Sequence, residues 1–153
     1  MVKKTKRKNY PITEKDADRA IYLDFEGRGK SKKTDDDPPP SLVGVLCEGY
    51  YEVFVLDSKL FDLTYRPYIR FQSIEQFCEH ILAQAKQENR RLICWSWYDF
   101  KVFEEKGFPP GNIEYDVKIP FDEVRKKDKN LHEIYQEFRD NVKLFRKKGL
   151  AVS

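Results

Sequence analysis

Asp24 and Glu26 stand two residues apart in the run Ile21-Tyr22-Leu23-Asp24-Phe25-Glu26-Gly27. A strand turns alternate side chains to opposite faces, so Ile21, Leu23 and Phe25 would share one face and Tyr22, Asp24 and Glu26 the other. Two carboxylates on one strand face bring hard oxygen ligands together without a loop having to order, a compact way to hold a divalent metal. A solvated strand face carries the same pattern, so the pair gains its meaning from its setting.

Other residue types with chemical reach are few. Of the aromatic group Trp95, Trp97 and Tyr98, which could stack on unpaired bases, the two tryptophans read rather as core residues of a strand and Tyr98 as the better stacking candidate. His132 and His80 can each act as a base or sit as ordinary surface residues, and Ser73 reads as a helix cap. Cys47, Cys78 and Cys94 are odd in number and far apart, which speaks against a disulfide framework and a paired-cysteine zinc site and for buried, reduced thiols. The chain has no GxxxxGK phosphate loop, no GxGxxG and no GxSxG elbow, so P-loop hydrolysis, dinucleotide redox chemistry and serine hydrolysis lack support.

The elements that must position these residues follow from periodicity. Residues 1–17 are polar and aperiodic, with Lys3, Lys4, Lys6, Arg7 and Lys8 in a basic run, and are expected to form a flexible arm before a domain over 18–153. The first strand covers Ala20 to Gly27. Arg28 to Pro40, with three aspartates and three prolines in succession, is expected to be a loop. Leu42–Cys47 and Tyr50–Leu56 around Glu48-Gly49 predict a tight antiparallel hairpin. Asp57 to Gln72 gives no clear pattern. Ser73 and Gln76 then form a capping box for a helix whose stripe is Ile74, Phe77, Cys78, Ile81, Leu82 and Ala85. Leu92 to Trp97 reads as a buried strand, Asp99–Lys106 as a short helix ended by Pro109-Pro110-Gly111, and Ile113–Val117 as a last strand. Leu131, Ile134, Tyr135, Phe138, Val142 and Phe145 mark a long amphipathic closing helix. The expected class is α/β, a mixed sheet with helices packed on it.

Composition bounds the function classes. A length of 153 residues suits one domain, and 14% aromatic content supplies the large apolar side chains that a disordered chain lacks. No run approaches the roughly 20 apolar residues of a membrane span, and no secretory signal opens the chain, so a soluble, cytoplasmic protein is expected. The net charge of +3 is too small to make the whole surface cationic. Nucleic-acid contact would rest on local clusters such as the N-terminal run and Arg139, Lys143, Arg146, Lys147 and Lys148, which can equally be solvated ends.

The run Ile21 to Gly27, followed by the apolar, glycine-bearing Leu42-Val43-Gly44-Val45, resembles the first motif of the DEDD exonucleases in the ribonuclease H-like superfamily. Ile93-Cys94-Trp95-Ser96-Trp97-Tyr98-Asp99-Phe100-Lys101-Val102-Phe103 resembles that family's second motif, with Asp99 as its acid. The family's common His-Asn before this Asp is replaced here by Trp95 and Ser96. Asp116 resembles a strand aspartate that does not bind metal. The third motif sets a Tyr or His four or five residues before an Asp on a helix. Tyr135 and Asp140 have such a spacing, although five residues exceed one helical turn, and His132 is the alternative base.

The resemblance implies a ribonuclease H-like mixed sheet with flanking helices, and Asp24, Glu26, Asp99 and Asp140 holding Mg²⁺ or Mn²⁺. Tyr135 would complete the catalytic set, with Tyr98 and Lys101 contacting nucleic acid. The implied activity is metal-dependent hydrolysis of phosphodiester bonds in DNA or RNA, by a 3′-5′ exonuclease acting on single strands. The alternative is a catalytically inactive ribonuclease H-like module that binds nucleic acid or a protein partner.

Overall fold

Strict alternation over Ile21–Gly27 makes the first strand, β1, and the buried positions are those the pattern requires: Ile21 and Leu23 are buried while Tyr22, Asp24 and Glu26 are exposed. The structure, a computed structural model, describes residues 8–27, 39–61 and 69–147. Most of the basic N-terminal run, the Lys- and Asp-rich loop and the extreme C-terminus therefore lie outside the described residues. The chain divides into two compact units, Met1–Val117 and Lys118–Ser153.

The first unit is a mixed six-stranded α/β sheet flanked by helices. β2 (Pro40–Cys47) and β3 (Tyr50–Val55) form the hairpin foreseen from Glu48-Gly49. Both turn residues have positive φ, 49° and 79°, the conformation that matches a two-residue turn to strand twist. β4 (Ile69–Phe71) runs parallel to β3, and a short helix α2 (Ser58–Phe61) precedes it. β5 (Leu92–Cys94) and β6 (Glu114–Asp116) run parallel to β1 on its other side, giving the order β4-β3-β2-β1-β5-β6.

Helices α3 (Ile74–Gln87) and α4 (Trp97–Glu105) bury their apolar stripes on the sheet. The Ser73–Gln76 capping box opens α3, with both reciprocal bonds at 3.2 Å. Asn89, at φ 53°, closes α3 in a Schellman turn through Arg90 N–H to Ala85 C=O at 2.8 Å, and Gly107 does the same for α4 through Phe108 to Phe103. Phe77, Phe100 and Phe103 are fully buried, each worth about 2 to 3 kcal/mol of apolar transfer. Phe25 meets Phe77 and Phe103 edge-on at 5.7 and 5.9 Å, so the residue between the two acids is anchored in the core.

Residues 8–17, the described part of the flexible arm expected over 1–17, are held in place in part. Glu14–Arg19 is a helix, α1, opened by a Thr13–Asp16 capping box. Arg91 donates to the carbonyls of Tyr10, Pro11, Ile113 and Glu114 at 2.7 to 3.1 Å, and the Asn9 amide pairs with both backbone groups of Asp116 at 2.8 and 2.9 Å. These partners are distant in sequence, which is why a local pattern does not reveal them. No described helix is long and apolar enough to cross a membrane.

The second unit is a helical hairpin of α5 (Lys118–Lys127) and α6 (Lys129–Lys147). Asp128 joins them, its carboxylate accepting from Leu131 N–H at 3.1 Å as the N-cap of α6. Phe121 packs on Tyr135 at 5.5 Å, and the Arg125 guanidinium lies 4.4 Å over the Tyr135 ring. Ile134 and Phe138, expected on a buried stripe, are each 64% exposed, because α5 covers only the Tyr135 side of α6.

Candidate active site

The carboxyl ends of the parallel strands β1 and β5 point the same way, and the residues with chemical reach collect there. β1 supplies Asp24 and Glu26. Their outward direction is enforced by Phe25, whose ring cannot leave the core without turning both carboxylates inward. β5 ends at Cys94, short of the Trp97 expected from sequence, and the chain bends through Trp95 and Ser96 into α4. The break has a physical cause: the paired stretch of β1 and β5 covers only Ile21–Leu92 and Tyr22–Ile93, so the backbone of β1 beyond it is free of β5.

Asp99, in the first turn of α4, fills that gap. Its Oδ1 accepts the Phe25 N–H at 3.4 Å, which fastens α4 to β1 between the two acids. The Asp99 carboxyl is pushed up to about 7, chiefly by burial and then by the charges of Asp24 and Glu26, against the pull of the Phe25 and Ser96 backbone amides. The charges of Asp99, Asp116 and Asp24 also help burial raise the Cys94 thiol. Cys94 and Cys78 are buried free thiols, as expected from their spacing, while Cys47 is partly exposed.

Among the described residues, a cavity borders β1 on each face of the sheet. One, of about 420 Å³, is lined by Phe25, Tyr98, Asp99, Lys101, Glu105 and Lys106 among others, joining an apolar floor to two cations and two carboxyls. Tyr98 is 66% exposed there. Lys101 pairs with Glu105 at 3.6 Å and lies 5.9 Å over the Trp97 ring, and Lys106 pairs with Glu75 at 3.1 Å. The other, of about 280 Å³, runs along the opposite face of the sheet beside Asp24.

The structure thus brings Asp24, Glu26 and Asp99 to one end of the sheet and sets Tyr98 and Lys101 beside Asp99. Tyr135 and Asp140 belong to the second unit. There Tyr135 is engaged by Phe121, Arg125 and Arg139, and Asp140 accepts from Gln136 Nε2 at 3.1 Å. His132 Nδ1 lies 3.5 Å from Arg125. Asp116 is buried, its backbone held by Asn9.

Asp24, Glu26 and Asp99 form a hard-oxygen donor set, and in donor chemistry they fit a divalent ion such as Mg²⁺ or Mn²⁺. Among the described residues, no three His, Cys, Asp or Glu side chains stand close enough together to hold an ion as they are. Asp24 opens onto one cavity and Asp99 onto the other, so closing a ligand set requires side-chain rotation about β1.

Sequence reasoning missed Lys106, which reaches the Asp99 cavity one turn beyond Lys101, and read Trp95 as a core residue although it is 50% exposed. The chain matches no protein-family model, and a search of curated proteins gives no match.

Proposed function

We propose that this chain is a metal-dependent nuclease domain acting on DNA or RNA, with a mixed sheet compatible with the ribonuclease H-like arrangement. The observation that carries the reading is the Asp99 carboxyl, hydrogen-bonded to the strand amide between Asp24 and Glu26 and pushed up to about 7. A buried carboxyl facing two like charges is unfavourable for folding alone, and perturbed groups of this kind cluster at functional sites. Asp24, Glu26 and Asp99 are the residues that would hold Mg²⁺ or Mn²⁺. The ion would supply Lewis-acid activation of water and charge neutralisation at phosphorus. Lys101 and Lys106 offer cationic partners for a phosphate at the Asp99 cavity, and Tyr98 offers an aromatic face at its rim.

The test is degradation of end-labelled single-stranded DNA and RNA with Mn²⁺ or Mg²⁺, comparing wild type with Asp24→Asn. Metal-dependent cleavage that the substitution abolishes supports the reading. A second reading, an inactive nucleic-acid-binding module, is favoured by the lack of a closed ligand set among the described residues. It predicts no cleavage by either protein and a gel shift that survives chelation and weakens steeply with salt.

A further inference from the structure

The face of the sheet opposite α3 and α4 carries a groove built around Asp24. In register, Asp24 lies across from Gly44 on β2, and Leu46 from Tyr51 on β3. Gly44 has no side chain, and the Tyr51 ring occupies the space it leaves: a Cβ at Gly44 would come within 2.7 Å of the Tyr51 hydroxyl. On the other flank, Ile93 is the partner of Tyr22, and Trp95, just past the end of β5, lines the same groove. Asp24 therefore sits between a phenol folded over β2 and an indole just beyond the end of β5. Tyr51 is 63% exposed and Trp95 50% exposed, large apolar surfaces at the rim of a groove lined also by Tyr22 and Leu46.

We propose that this groove binds an unpaired nucleobase of a single-stranded nucleic acid, stacked on Trp95 and bounded by Tyr51. The proposal rests on the nuclease reading and adds to it the part of the substrate that would lie in the groove beside Asp24. Charge decides which part enters. Beyond Asp24 the described lining of the groove is apolar or aromatic and carries no cation, so it offers a phosphate no partner and suits a neutral base, while Lys101 and Lys106 line the cavity on the Asp99 side. A strand crossing the carboxyl end of β1 would thus turn a base to the groove and its backbone to the lysines. Base stacking on exposed aromatics is indifferent to sequence and demands an unpaired base, so the groove selects single strands over duplex.

The experiment uses the full chain carrying Trp97→Phe, which leaves Trp95 as the sole tryptophan, and titrates it with a short oligothymidylate in Ca²⁺ or chelator. Quenching of Trp95 fluorescence by the single strand, and none by a blunt duplex, is expected. In the wild-type background, Trp95→Ala should weaken binding about ten-fold. Gly44→Ala, which expels the Tyr51 ring without deleting it and has no backbone strain to overcome, should weaken it several-fold. Affinity unchanged in both variants, with wild-type cleavage intact, overturns the groove and leaves the nuclease reading standing. Neither cleavage nor quenching in the parent protein removes both. A dimer that Trp95→Ala dissociates would show that a second copy covers this face, and would overturn the assignment of a base to it.

Discussion

Replacing Asp99 by Asn should stabilise the protein, and should do so only where a carboxylate would be ionised. The Asp99 carboxyl rises from an ordinary 3.8 to about 7, so the folded state binds its proton more tightly than the unfolded state does. A raised folded pKa means that the stability it confers is fully present below about pH 4 and is lost as pH climbs to about 7. Three units at about 1.4 kcal/mol each give about 4 kcal/mol, and discounting for solvent screening of a partly exposed group leaves about 2 kcal/mol. Asn keeps an oxygen to accept the Phe25 N–H and carries no charge. Urea unfolding followed by circular dichroism should therefore show the two proteins alike near pH 4 and the variant ahead by about 2 kcal/mol near pH 8. Mn²⁺ should narrow that gap by stabilising the wild type alone. A variant less stable than wild type near pH 8, or a gap that does not widen with pH, would refute the claim that Asp99 is held under burial and like-charge repulsion.

Phe103→Ala removes a fully buried ring that also supports Phe25, and should cost about 3 to 5 kcal/mol, read as a lower urea midpoint at unchanged slope. Arg91→Lys replaces a fork that reaches four carbonyls with a single ammonium. It should speed amide hydrogen exchange in the Asn9–Ile12 and Glu114–Asp116 segments and leave exchange in α3 unchanged.

What the sequence disclosed, it disclosed where one local pattern settles the structure. The alternation of β1 set Asp24 and Glu26 outward, the positive-φ pair Glu48-Gly49 set the hairpin, and Ser73 with Gln76 set the start of α3. The N-terminal helix stayed hidden because Arg91 and Asp116, far along the chain, hold the segment before it. The end of β5 stayed hidden because Leu92 to Trp97 is apolar save for Ser96, whose side chain makes no cap hydrogen bond, and so short an apolar run carries no period to mark where a strand yields to a helix. Tyr51 could have been suspected, since a glycine in mid-strand often marks a close approach, but Gly44 does not say which side chain approaches.

Phe25 makes the outward direction of the acids a condition of folding. If β1 slipped by one residue against its neighbours, Phe25 would face water and two carboxylates would enter an apolar interior, each at a cost of several kcal/mol. Such a chain would spend its time open, where proteases act on it. Errors of register at this strand would then be cleared by the cell's quality control before any substrate met them, and the surviving molecules would be those with both acids facing out.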